Sequence, residues 1–139
     1  MNKRGMVALE ALIASAQVLL LAAAVSGLLV IFWQSWLEST QASRQRQWST
    51  VAFAYLDADL RNAEKVTVTF SEIRVIQEGK EYVYRVTADK SFYRGVGSTF
   101  YPLAKVNSVR WWQEGNLLWI EIYYPKESYR CCYCLEGAQ

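Results

Sequence analysis

From Met6 to Trp33 the chain is apolar, with a single ionisable side chain, Glu10, and it is preceded by Lys3 and Arg4. No other stretch restricts the fold as much. As a helix rising 1.5 Å per residue it extends about 42 Å, enough to cross a hydrocarbon layer of about 30 Å. Trp33 and Trp36 then fall at the far interface, where indole rings settle. Lys3 and Arg4, with no further basic residue until Arg44, orient the N-terminus towards the cytoplasm and the rest of the chain outside. An acidic side chain costs about 2.5–3.5 kcal/mol at a bilayer centre and less near its surface, so Glu10 requires a partner or a task.

The competing reading is a cleaved secretory signal, with Ala22-Ala23-Ala24 as the small-residue cut. Two features oppose it. The apolar run continues through Val25, Leu28, Leu29, Val30, Ile31, Phe32 and Trp33, and Glu10 interrupts a region that carries no charge in such signals.

With 139 residues there is room for one span and one small domain. Lys3 and Arg4 supply the whole formal excess of +2, so this is not the composition of a basic nucleic-acid-binding protein. Histidine is absent, which removes the commonest general base and metal ligand. Cys131, Cys132 and Cys134 all lie in the last nine residues, so the body of the fold is held by its core and not by disulfides.

A short basic leader ending in Gly5, an apolar segment directly after it and a glutamate as its fifth residue, Glu10, resemble the processing site of type IV prepilins and pseudopilins. The resemblance implies cleavage between Gly5 and Met6 by a membrane prepilin peptidase and methylation of the new terminus. It also implies a pairing of Glu10 with a neighbouring subunit's terminal amine during assembly. An ammonium and a carboxylate that meet in lipid neutralise each other, whereas either alone stays costly. Met6 stands where the family usually has Phe, and Val7-Ala8 replaces Thr-Leu.

Residues 34–50 contain no Gly or Pro, are rich in Gln, Ser and Arg, and read as a solvated continuation of the helix. From Ala52 onward Ala52, Phe53, Leu56, Leu60 and Ala63 share one helical face that can cover a sheet. Asp57 and Arg61, four apart, suit an exposed ion pair. Asp57 and Asp59 point to nearly opposite sides and form no catalytic dyad. The run from Tyr55 to Ala63 is also similar to the helix end of competence ComGF proteins and of J-type pseudopilins of type II secretion.

After Lys65 the period becomes that of strands, beginning with Val66-Thr67-Val68-Thr69-Phe70. Glu78-Gly79 as a two-residue turn pairs Val75 with Tyr82, Ile73 with Tyr84 and Glu72 with Arg85. Glu114-Gly115 as a second turn pairs Trp111 with Leu118, Val109 with Ile120 and Asn107 with Ile122. Gly95, Gly97 and Pro102 mark a looser connection, with Phe92, Tyr93, Phe100 and Tyr101 available to pack over it. The expected class is α+β and pilin-like, a long N-terminal transmembrane helix packed on a small antiparallel β-sheet. Its parts are a leader over 1–5, the span over 6–33, an amphipathic continuation over 34–64, a β domain over 65–130 and a cysteine-rich tail over 131–139.

Two constellations invite chemistry. The second hairpin sets Arg110 opposite Trp119, with Trp112, Tyr123, Lys105 and Lys126 nearby. Such a face can stack on single-stranded DNA, form a cation–π pair of its own, or meet another subunit; the scarcity of clustered basic residues favours the last two. Cys131, Cys132 and Cys134 fall one ligand short of a structural zinc site, and the tail lacks a thioredoxin-like context. A disulfide between two of them, with one thiol left for an intermolecular bond, is the simplest expectation outside the cytoplasm. No nucleophile–base pair, phosphate loop or metal-ligand spacing is present, so no enzyme, metal or cofactor is expected.

The reading that follows from the resemblance is a minor pilin of a competence pilus supporting DNA uptake. It would sit in the cytoplasmic membrane and the surface pilus. Its partners would be prepilin peptidase, the membrane and other minor and major pilins, with contact to DNA mostly indirect. The alternatives are a pseudopilin of type II secretion, and a single-span membrane-anchored binding domain that never joins a filament.

Overall fold

A computed structural model of the chain describes residues 3–135, with backbone alone for residues 3 and 4. The ends of the expected leader and tail, residues 1–2 and 136–139, lie outside the described residues. One helix, α1 (Lys3–Arg61), is followed by β1 (Lys65–Val68), β2 (Glu72–Gln77), β3 (Lys80–Val86), β4 (Ser91–Val96), β5 (Thr99–Lys105), β6 (Ser108–Glu114), β7 (Leu117–Tyr123) and β8 (Ser128–Cys134). The chain divides into two units, Met1–Ala42 and Ser43–Gln139.

The first unit contains the apolar part of α1, which is long and apolar enough to cross a membrane. Its large side chains are exposed all round, Leu20 by 71% and Phe32 by 70%, as expected of a helix whose solvent is hydrocarbon. Two hydroxyls in its apolar stretch turn inward on the backbone. Ser15 donates to the Leu12 carbonyl and Ser26 to that of Ala22, at 2.9 and 2.8 Å, which satisfies each hydroxyl without water.

The second unit is an α+β domain with its own core. Ala52, Leu56 and Leu60 are buried, and Phe53 and Ala63 pack beside them, as the helical period predicts. The single small sheet of the sequence reading is in fact two antiparallel sheets, ordered β1-β2-β3-β4-β5 and β6-β7-β8. Ile73, Val75, Tyr84 and Phe92 from the first, and Leu118, Ile120, Ile122 and Tyr133 from the second, join the helical stripe in one apolar cluster. Trp111 Nε1 donates to the Thr69 carbonyl at 2.6 Å and ties the second sheet to the turn between β1 and β2.

The first hairpin has the expected register, Val75 with Tyr82, Ile73 with Tyr84 and Glu72 with Arg85. Glu78 and Gly79 have φ of 50° and 71°, both positive as a type I′ turn requires. The second hairpin departs from expectation. Its turn is Gly115-Asn116, so Trp111 pairs with Ile120, Val109 with Ile122, Trp112 with Trp119 and Arg110 with Glu121. Gly115, at φ 58°, occupies the first turn position, the glycine site of a type II′ turn, where the sequence reading had placed it second. The two-residue slip leaves every side chain on its expected face. It replaces the pairing of Arg110 with Trp119 by one of opposite charges, and it sets indole against indole.

The looser connection around Gly95, Gly97 and Pro102 is also corrected, because these residues form the antiparallel hairpin β4–β5, whose register shifts by one residue between Phe92 and Tyr93. Gly97, at φ 59°, opens a two-residue turn like that at Gly115. Alternation from this turn aims the missing N–H of Pro102 at the open edge of the sheet, where proline is tolerated. Gly95 lies opposite Phe100, and a Cβ there would come within 2.5 Å of the ring. The cysteine-rich segment likewise belongs to the fold, since residues 131–134 complete β8.

Gly115→Ala forces a side chain into the left-handed region and should lower stability by about 1–2 kcal/mol, whereas Gly115→Asn should recover most of the loss. Denaturant unfolding followed by tryptophan fluorescence reads both. Equal stability of the alanine variant and the parent would contradict the turn assignment.

Candidate functional site

Gly5, Met6 and Glu10 lie within α1, which begins at Lys3. All three are exposed. No atom outside the helix backbone and the neighbouring residues comes within 4 Å of a Cβ built on Gly5. Met6 and Glu10 are one turn apart and therefore share a face. Among the described residues no ion pair includes Glu10. Gly5 and Met6 fall in the first turn of α1, where the leading N–H groups of a helix lack intrahelical acceptors.

A second constellation was not foreseen from the sequence. Asp59 follows Leu56 by three and precedes Leu60, so the stripe that buries those leucines buries it as well. Arg94 on β4 donates from Nε and Nη2 to the two carboxylate oxygens of Asp59 at 2.7 and 2.8 Å. Tyr84 on β3 adds its hydroxyl at 2.5 Å. The side chains are 6% exposed for Asp59 and 17% for Arg94. Burial, then the hydrogen bond to Asp59, holds the Tyr84 hydroxyl above its ordinary range. The bidentate bond to the same carboxylate holds Arg94 firmly in its charged form. The Arg94 guanidinium also lies 5.0 Å from the Tyr55 ring centre and 4.6 Å from that of Tyr82, a cation–π arrangement. The helical period alone carried a signal for Asp59; its partner on β4 had none.

The outer face of the second sheet carries Arg110, Trp112, Trp119 and Tyr123, four of the side chains grouped by the sequence. Cross-strand rows run Trp112–Trp119–Cys132 and Arg110–Glu121–Arg130. The two indoles are parallel within 10° with centres 6.1 Å apart. Arg130 sits 5.6 Å from the centre of Trp112, and Arg110 sits 5.5 Å from that of Tyr123. Glu121 accepts from Tyr123 at 2.5 Å, and from Ser128 and Arg130 at 3.2 Å. Trp119 Nε1 is buried without a hydrogen-bond partner among the described residues. Lys105 ends β5 in the other sheet, and Lys126 lies between β7 and β8, so neither belongs to these rows. The face is thus largely self-paired, with a carboxylate between its two arginines, which is unfavourable for a polyanion.

Cys131, Cys132 and Cys134 are thiols on β8. Strand alternation turns Cys131 to one side and Cys132 and Cys134 to the other. Residues two apart on a strand are about 6.8 Å apart with parallel Cβ directions, which is unsuited to a local bridge. Among the described residues no group of three His, Cys, Asp or Glu side chains could hold a metal ion. No family model, curated protein or solved structure matches the chain.

Arg94→Met leaves the Asp59 carboxylate buried with the Tyr84 hydroxyl alone and should destabilise by about 3–5 kcal/mol, whereas Asp59→Leu with Arg94→Met should cost clearly less. A double-mutant cycle in denaturant measures the difference, and strictly additive losses would refute the coupling.

Hydrogen bonds, first from Tyr123 and then from Arg130 and Ser128, hold the Glu121 carboxyl below the usual glutamate range. Protonation is therefore easier in the unfolded chain. The stabilisation is complete above about pH 4.3, the ordinary glutamate value, and is lost as pH falls through the lower folded value. Glu121→Gln should flatten this acid limb of the stability profile, and an unchanged limb would contradict the assignment.

Proposed function

We propose that this protein is a minor pilin-like subunit, made as a prepilin, held in the cytoplasmic membrane by α1 with its N-terminus inside, and drawn after cleavage into a short surface pilus. Its resemblance to ComGF proteins makes competence and DNA uptake the preferred setting. One observation carries this reading: the exposed carboxylate of Glu10 stands in an apolar helical segment, five residues past Gly5. Within lipid an unpaired carboxylate is costly, and a chain that stacks beside copies of its own kind can supply the neighbouring N-terminal ammonium that neutralises it. The α+β layout, with the later turns of a long N-terminal helix on antiparallel sheets, supports the same reading. In this account Gly5 and Met6 flank the cut, Glu10 sets subunit register, and the globular unit recognises other minor and major pilins without catalysing a reaction. The self-paired charges of the Trp112–Trp119 face support an indirect role towards DNA.

The test is the mature N-terminus, read by intact mass and terminal peptide analysis with and without a co-expressed prepilin peptidase. The expected terminus is Met6, lost on Gly5→Ala. Glu10→Gln should leave the domain folded while abolishing incorporation into the filament. A chain that still begins at Met1 beside active peptidase would overturn the proposal in favour of a plain anchored domain, and a cut near Ala24 would indicate a secreted protein.

A further inference from the structure

The polar side chains between Met6 and Trp33 are Glu10, Ser15, Gln17 and Ser26. Carbonyls of the helix itself satisfy the two serines. Gln17 differs from them. Its carboxamide carries two N–H donors and an acceptor oxygen, and among the described residues it makes no hydrogen bond. At 1.5 Å per residue Gln17 stands about 16 Å along the helix from Met6, close to the middle of a hydrocarbon layer of about 30 Å. It is exposed, but exposure at that depth is to lipid, which offers no donor or acceptor. The carboxamide is therefore answered by a polar group at the same depth in another span. Two features select that span. A carboxamide is donor and acceptor at once, so a second carboxamide complements it, and copies of this chain inserted with Lys3 and Arg4 on the same side hold Gln17 at the same depth. The helical face agrees. Ala14, Leu21 and Ala24 lie three before, four after and seven after Gln17 on its own face, and the small side chains of Ala14 and Ala24 let two backbones approach.

We infer that α1 pairs within the membrane with α1 of a second copy, parallel and in register, through reciprocal hydrogen bonds between the two Gln17 carboxamides. The inference rests on the reading of α1 as a membrane span, and not on cleavage at Gly5 or on the filament. Glu10 shares the same face, seven residues nearer the N-terminus. Two carboxylates side by side repel each other until an ammonium joins them, so the carboxamides hold the pair and Glu10 does not.

The test uses the full chain in density-matched detergent micelles, under reducing conditions so that Cys131, Cys132 and Cys134 form no bridge. Sedimentation equilibrium reads the monomer–dimer constant. Gln17→Leu, which makes the span more apolar and leaves the globular unit unchanged, should weaken the dimer about threefold to tenfold, and Gln17→Asn should retain most of it. Ser26→Ala and Glu10→Gln should not weaken it. A second measurement places the contact. With the three native cysteines changed to serine, Ala24→Cys should cross-link in lipid vesicles under a mild oxidant, and Leu19→Cys, on the opposite face, should not. Monomer at every concentration, an unchanged constant for Gln17→Leu, loss of the dimer on Glu10→Gln, or cross-linking of Leu19→Cys as strong as that of Ala24→Cys would each overturn the inference. A processed Met6 terminus without pairing refutes the pairing and not the filament reading, whereas an unprocessed chain that pairs through Gln17 refutes only the latter.

Discussion

A buried carboxylate has to be answered from within the protein, and in this chain the answer to Asp59 decides how the last turns of α1 meet the first sheet. Arg94 reaches both oxygens in bidentate geometry from β4, and Tyr84 closes the remaining side from β3. Apolar contacts between a helix and a sheet tolerate sliding, because burial is non-directional. A bidentate bond does not. Desolvating the two charges offsets most of what their attraction contributes. The pair therefore acts mainly by selecting one rotation and one axial position of the helix, and the apolar cluster of both sheets supplies the bulk of the stability.

The second sheet meets the helix by neutral means. Ser49, 1% exposed, shares a hydrogen bond of 2.9 Å with the Tyr124 hydroxyl, and Tyr133 donates to the Phe53 carbonyl at 3.0 Å. Burial pushes both tyrosines above their ordinary range, so each hydroxyl stays protonated and available as a donor. Polar ties thus recur along α1 at residues 49, 53 and 59. Each fixes the helix against a different strand or strand end.

How much of this was legible depends on the range of the interactions involved. The apolar stripe, the ion pair of Asp57 and Arg61 at 2.6 Å and the register of the first hairpin are set by neighbours in sequence, and they were read correctly. The second hairpin failed at one decision. A glycine can occupy either central position of a two-residue turn, and only the cross-strand consequence, Trp112 on Trp119 and Arg110 on Glu121, distinguishes the two registers. The β4–β5 hairpin was missed because Pro102 and two glycines read as a break; the proline is harmless at an edge, and Gly95 admits the Phe100 ring. Asp59 lay in plain view of the helical period, but its significance needed Arg94, 35 residues away. The resemblance at Gly5 and Glu10 was of another kind, a pattern whose meaning is not intrinsic to the fold.

That difference bears on where function is to be sought. Among the described residues the buried ones begin at Ser49 and all belong to the second unit. The large apolar side chains of the first unit, by contrast, are exposed. Hydrocarbon as solvent accounts for its length, its unbroken apolarity and the inward-turned hydroxyls of Ser15 and Ser26. It does not account for Glu10, which a simple anchor would do better without. On the proposed reading, a residue that is costly in its medium and has no ion pair among the described residues is answered by what it meets in another chain. This is why a single side chain near the N-terminus, and not the more elaborate surface of the domain, carries the functional argument.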